Sequence, residues 1–429
     1  PLTIGGDVFH GWVRLRFWAQ TVDSDIEWRI AWQDVGGDAG GLTRTVAGSA
    51  GRVTAVTADW GEATEGWAVG HLAVLPVADS SLYDGSDNAF SGETAWERIA
   101  RLCSEEGVPV ARLPGLLTPE LVGPQRTETL VQVLQDAAAA DGGMLVEDRR
   151  LGLLYRDRSS LYTQDPVMTL AYGSRELATP LEPDDDADTV RNDRTITREG
   201  GSSARAVLEE GPLSVQPPPL GIGLYDDSQT LSLASDVQTE PIAYWQLHLG
   251  TQDAARYPTV RILLHRAPHL IPAFLRLRPG DLIRLTGLPP HVAYGPVDLI
   301  VTGWSSRMLP RSWEVLLTCE PGVPWMTAKA DHAVYGKASA GAGYVLADGV
   351  DADDTALAVT VADDLPWTTD PAEMPILIDV GGEHMSVTAI GAEDDGAQEF
   401  TVVRSANGVT KSHEAGAAVE MAYRAIAPL

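Results

Sequence analysis

The chain has 429 residues, with 60 acidic against 31 basic side chains, a formal net charge of −29. With 44% hydrophobic and 21% charged residues its composition is globular rather than disordered, and its length suits roughly two to four domains. No apolar run reaches the ~18–20 residues of a membrane helix, so no membrane span is expected.

The acidity argues against specific nucleic-acid binding, because affinity for phosphates comes mainly from Lys and Arg. It does not exclude a protein that DNA must pass without sticking. Basic residues are nearly all Arg, with Lys329, Lys337 and Lys411 the only lysines, which reads as coding bias. Two cysteines, Cys103 and Cys319, are too few for a disulfide scaffold or a Cys-rich zinc module, and each reads as a buried free thiol. The chain opens at Pro1 with neither a Met nor a cationic-plus-apolar leader, which leaves open whether residues precede it.

Forty-two Gly and 28 Pro punctuate short Val/Ile/Leu/Thr/Trp segments, the pattern of a mainly β protein. Leu2–Asp7 and Val8–Val13 read as strands around a Gly-Gly turn, followed by Glu27–Trp32 and Arg52–Thr57. From Ser91 the period becomes helical. Ala95, Ile99, Leu102 and Cys103 share a face, Ser91 offers a cap and Gly107 a stop. A second helix fits Thr127–Ala140, with Leu130, Val133, Leu134 and Ala137 inward and Asp141-Gly-Gly143 as terminator. A hairpin follows, Met144–Val146 and Leu151–Tyr155 about a turn at Asp148–Arg150.

Pro183–Asp188 is an acidic break, Thr189–Arg198 a strand, and Gln216–Pro219 a stiff polyproline connector. Pro241–Leu249 reads as a short helix and Thr259–Leu264 as a strand. Two hairpins close this region, Gly280–Thr286 with Val297–Val301, and Trp304 onward with Trp313–Cys319. Beyond an Ala/Gly/Ser-rich linker, strands are expected at Ala356–Val361, Pro375–Val380, Glu383–Ile390 and Glu399–Arg404. From Lys329 on there are 17 acids and 5 bases, the composition of a solvated outward module.

The expected architecture is therefore mainly β with an α+β insert: two β-barrel domains plus a separate C-terminal small β domain. The divisions are 1–90 for a first barrel (discontinuous, completed by later strands), 91–180 for the insert and 181–325 for the second barrel. A linker at 326–343 and a module at 344–429 follow.

Chemistry is mostly missing. Gly336-Lys337 has Asp331 where a phosphate loop needs its first Gly, and Ala338 after the Lys. Gly221-Ile-Gly223 has Asp226 in place of the third glycine and no βαβ context. Pro268 disrupts helical spacing between His265 and His269. Glu383-His384 lacks a second metal-ligating His and lies in a strand. Asp184–Asp188 has clustered oxygens but no EF-hand spacing, so a solvated loop is favoured over a Ca²⁺ site. The twelve Trp more readily fill cores and interfaces than a sugar site. No catalytic, cofactor-binding or metal-ligating residue is assigned, and Leu102, Cys103 and Trp313 are assigned to core packing.

Several patterns resemble the baseplate-hub, or tail-tip, proteins of tailed bacteriophages, especially long-tailed phages of actinobacteria. Gly5-Gly-Asp-Val-Phe-His-Gly-Trp12 looks like the family's first barrel hairpin, and Ala95–Pro109 its insert helix. Leu130–Gly143 with Met144–Asp148 and Leu153–Arg156 matches a helix-then-hairpin unit. Asp184–Asp193 leads into Arg194–Arg198 as in the family, and Arg278–Leu285 and Trp313–Pro321 look like its last barrel strands. Phe400–Gly416 is similar to small β modules ending minor tail proteins. Ala47–Asn88 has no counterpart.

The resemblance implies a structural protein of the virion, not an enzyme. It implies a homotrimer whose six barrels form a pseudo-sixfold ring joining the sixfold tail tube to a threefold tip, with DNA passing through during ejection. The implied partners are a distal tail protein or tail-tube ring, the tape-measure protein, and tail fibres or tip proteins. An acid-lined bore would repel phosphate, so reversing lumen acids to Arg is expected to slow ejection. A host-surface glycan adhesin working through 344–429 is the alternative, and a secreted cell-wall hydrolase a third reading.

Overall fold

The computed structural model describes residues 13–34, 39–49, 51–57, 62, 66–70, 74, 88–178, 181, 183–184, 189–252, 256–289, 292–293, 295–330, 332, 335–337, 343–362, 365–427 and 429. The fold is mainly β, 38% strand against 16% helix, and two of its sheets curl into half-barrels.

The first described unit is an antiparallel meander of β1 (Val13–Val22), β2 (Asp25–Asp34) and β3 (Ala39–Ala47), in that order. The expected strand at Glu27–Trp32 lies within β2. Leu2–Asp7 and all but Val13 of the next expected strand fall outside the described residues. Arg52–Thr57 is not a strand: Val53 and Val56 are exposed and no described strand pairs with them, so β-propensity finds no ladder to join.

Next come α1 (Ala95–Glu105), β4 (Val110–Leu113), α2 (Leu130–Asp141), β5 (Met144–Asp148) and β6 (Gly152–Arg156). The cap of α1 is Thr94 rather than Ser91. Its hydroxyl accepts from Glu97 N, and the Glu97 carboxylate accepts from Thr94 N, a complete capping box. Helix α2 is capped by Thr129 and stops at Gly142, whose φ of 69° suits glycine. Hairpin β5–β6 forms as expected, and β4 joins β6 in parallel.

Strand β7 (Met168–Ala171) leaves this unit and pairs in parallel with a later strand. Then β8 (Asp193–Arg198), β9 (Ser203–Val207) and β10 (Asp226–Leu231) form a sheet ordered β10-β8-β9, covered by α3 (Thr239–Gly250). The insert helices share one core with this sheet: Ile99, Leu102, Cys103 and Leu134 pack with Tyr155, Ile196, Leu233 and Ile242. The expected polyproline connector is instead a turn, with Leu220 N donating to Pro217 O. The buried Asn192 amide pins the loop through Leu213 O and Gly223 O.

A five-stranded sheet, β11-β14-β13-β12-β7, comprises β11 (Thr259–Leu263), β12 (Leu282–Thr286), β13 (Val297–Leu309) and β14 (Ser312–Pro321). One short helix, α4 (Ile271–Phe274), closes its core of Leu170, Ile262, Leu264, Leu277, Ile283 and Leu317. Cys319 is buried here, and burial pushes its thiol up to about 12.

The last sheet, β15-β18-β17-β16-β19, has β15 (Ala356–Thr360), β16 (Ile376–Val380), β17 (Glu383–Ile390), β18 (Ala397–Val403) and β19 (Val419–Met421). It holds its own core around Phe400, Ile378, Met385 and Val387. The segment from 326 is not a free linker where it is described. Met326 and Thr327 are buried, and the chain end returns alongside: Ala328 N donates to Ile426 O and Ala425 N to Lys337 O.

Three consecutive buried charges tie these units together. Arg156 donates to Asp281 at 2.6 Å, to Pro279 O and to Gln164, reaching the five-stranded sheet. Asp157, fully buried, accepts twice from Arg112 (3.0 and 2.7 Å) and from Gly115 N, holding β4. Arg158 donates to Asp141 O at 2.7 Å, to Glu120, and to Leu429 O at 3.0 Å, reaching α2 and the returning chain end. Removing one partner of a buried pair strands the other. Asp157→Ala should therefore cost about 3–5 kcal/mol in denaturant unfolding, whereas an exposed change such as Glu210→Ala should stay within about 0.5 kcal/mol.

Candidate assembly surface

Strand register decides what the β1–β3 meander can do. Cross-strand partners run Leu15–Trp32–Gly40, Phe17–Ile30–Leu42, Ala19–Trp28–Arg44 and Thr21–Ile26–Val46. Side chains alternate across a sheet, so these rows share one face, and apart from Thr21 and Arg44 that face is apolar. The opposite face is mixed, with Arg16, Gln20, Glu27, Arg29 and Thr43 beside Trp18 and Val22.

A sheet with one apolar face normally packs it on a core. Here no described residue from 13 to 49 is buried, and Phe17 is 69% and Val46 54% exposed. Phe17 and Trp28 touch only each other's rings at 6.2 Å among the described aromatic pairs on this sheet. The Trp32 ring lies across Gly40, where an added Cβ would come within 2.5 Å of it. The sheet is locally well built, and its apolar face is uncovered by any described residue.

The residues singled out in the sequence are dispersed. Leu102 and Cys103 lie in the core of α1, while Trp313 is half-buried against Phe274, its indole N–H donating to Ser306 Oγ at 2.9 Å. His269 bonds Glu176 at 2.9 Å and His265 the backbone of Trp313, so the two do not converge. Asp184 pairs backbone to backbone with Arg256, and Asp185–Asp188 lie outside the described residues. Gly221 is a close-packing glycine, since a Cβ there would meet Ser214 Oγ at 2.4 Å. Among the described residues no cluster of three or more His, Cys, Asp or Glu has metal-holding geometry. No helix of the described residues is long and apolar enough to cross a membrane.

Glu383 acquires partners that its sequence neighbourhood hides. Fully buried, it accepts from Arg404 Nε and Nη2, both at 2.8 Å, and from His413 Nε2 at 2.9 Å. Burial alone would raise its carboxyl, but these donors and Lys411 N hold it down at about 2. The group thus staples the 404–413 loop to β17. A carboxyl depressed on folding stabilises fully above its unfolded value and loses that contribution as pH falls toward its folded one. The C-terminal unit should therefore lose stability between about pH 4.5 and 2. Glu383→Gln should flatten that loss and cost about 3–5 kcal/mol at neutral pH, read by pH-resolved denaturation.

No protein-family model matches the chain, and no curated protein matches it. Similar solved structures include the following three. The tail protein from Neisseria meningitidis MC58 is 15% identical, aligned over 55% of this chain and 69% of its own, with a TM-score of 0.39. The 43 kDa tail protein of prophage MuSo2 from Shewanella oneidensis is 11% identical over 55% of this chain, with a TM-score of 0.37. This chain covers 66% of that one, just under two thirds. An E. coli component of the type VI secretion system, described as structurally similar to T4 bacteriophage tail proteins, is 12% identical over 92% of this chain and 100% of its own, with a TM-score of 0.26. None of the three organisms is an actinobacterium, and likenesses this low assign no function.

Proposed function

We propose that this chain is a structural hub subunit of a phage tail tip or baseplate. Three copies would close into a ring that joins the tail tube to the tip and leaves an open passage for DNA. The reading begins from the hub-like patterns in the sequence. The observation that carries it is the meander, whose apolar face no described residue covers. Leaving such a face in water is unfavourable, and a neighbouring subunit would cover it. Closure around an axis satisfies every copy's interface at once. The net charge of −29 suits a passage that must not retain phosphate.

The expected divisions at 90, 180, 325 and 343 enter this proposal with one adjustment. The body of each subunit is taken as 91–325 together, because β7 and the insert helices pack across the division at 180. A second reading, a host-surface adhesin working through 344–429, is favoured by that unit's separate core. Binding of the full chain to host envelopes, lost on removal of 344–429, would support it.

Sedimentation and electron microscopy of the full chain test the hub. Association should reach three times the 45.8 kDa chain mass, with ring-shaped particles. Phe17→Asp should weaken association at least tenfold without changing monomer stability, because the side chain is exposed in the isolated chain. A chain that stays at the monomer mass at every concentration would contradict the proposal.

A further inference from the structure

Between residues 256 and 313 this acidic chain carries eight Arg and only two Asp. Both acids are already engaged, Asp298 by Arg284 and Asp281 by Arg156, each at 2.6 Å. Arg261 pairs with Glu314. Arg266, Arg276 and Arg311 are exposed with no described carboxylate within ion-pair distance, and exposed Arg307 faces, cross-strand, only Glu314, which Arg261 already engages.

Arg307 and Arg311 flank an apolar tip. The β13–β14 hairpin runs past the buried sheet, leaving Met308 65% and Leu309 50% exposed. Trp304 and Trp313 share the face of Met308 and pack edge-on against Phe274. Arg149, from the β5–β6 turn, donates to Phe274 O and Leu277 O and lies 5.2 Å from the Trp304 ring. It thereby joins to this tip the turn carrying Leu151, which is 94% exposed at a φ of 62°, and the end of α4 carrying exposed Leu275.

An apolar centre inside a charged rim is the anatomy of a protein interface rather than a phosphate track. The rim's sign calls for an acidic partner, and this chain supplies one. Residues 329–429 hold 17 acids against 5 bases, and Arg404 is consumed by Glu383. Glu393, Asp394 and Asp395 form an exposed turn before β18 with no described base paired to them. The turn carrying Asp351, Asp353 and Asp354 instead lies beside Arg404.

We propose that the basic, apolar-centred tip of the β13–β14 hairpin docks on the acidic C-terminal unit of a second copy, with the Glu393–Asp395 turn opposite Arg307 and Arg311. This rests on the self-assembly reading and adds its contact surface. Opposed charges at a rim set which surfaces meet and make association salt-sensitive.

The test uses full-length chains in sedimentation at graded salt. Arg307→Glu with Arg311→Glu should weaken self-association at least tenfold and flatten its salt dependence. Glu393→Lys with Asp394→Lys should do the same, and mixing the two variants should restore pairwise association, with one like-charged contact left in any ring of three. If both variants associate as tightly as the parent, or mixing restores nothing, this contact is wrong while the hub reading stands. If the parent itself never associates, both fall. Binding of the parent to duplex DNA at physiological salt, lost in Arg307→Glu with Arg311→Glu, would give the tip to nucleic acid and overturn the proposal.

Discussion

The architecture depends on burying three adjacent charges, Arg156, Asp157 and Arg158, without leaving any of them unpaired. Each charge must be met from a different direction, and each direction is a different part of the chain. Arg156 needs the Asp281 turn of the five-stranded sheet, Asp157 needs Arg112 on β4, and Arg158 needs the end of α2, Glu120 and the returning chain end. Misplacing any one of these elements would strand an ion in a low-dielectric interior. Hydrophobic packing holds each core together, and this tripeptide fixes how the cores meet. Asp141 extends it by accepting from Tyr155 Oη at 2.6 Å, from Arg158 N and from Glu120 N.

The two ends of the described chain behave differently. The C-terminal unit is closed by its own ion pair at Glu383, whereas the N-terminal meander has an apolar face that no described residue covers. The start of the body, just before α1, is itself clamped. Arg98, buried on α1, donates to Phe90 O and Gly123 O and pairs with Glu93, while Arg101 pairs with Glu93 and lies 3.7 Å above the Phe90 ring. Ala89 and Phe90 are held there at φ of 52° and 55°, values unfavourable to residues with a Cβ.

Much of this was legible locally. Helical period marked the inward faces of α1 and α2, and β5–β6, β12–β13 and β13–β14 announced themselves by short apolar runs between turns. The α1 cap is ambiguous in sequence because Ser91 and Thr94 both suit the role. Only Glu97, three residues past Thr94, completes a capping box. What the sequence concealed was distance. Arg156 and Asp281 are 125 residues apart, and Arg404 and His413 lie 21 and 30 residues from Glu383, so no local window could join them. The crossing of β7 into the later sheet is hidden for the same reason: a four-residue strand carries no mark of its partner. The apolar face of the meander was obscured too, since only the observed register aligns Phe17 with Ile30 and Leu42.

The central claim is that the meander's apolar face is open in the single chain and covered in the assembly. Hydroxyl-radical footprinting across a concentration series reads this directly. Oxidation of Phe17 should be high in dilute protein and fall as association proceeds, while Tyr155, fully buried beside the Arg156–Arg158 joint, stays protected throughout. A Phe17 already protected in the dilute chain, or one whose oxidation is unchanged once rings have formed, would contradict the account.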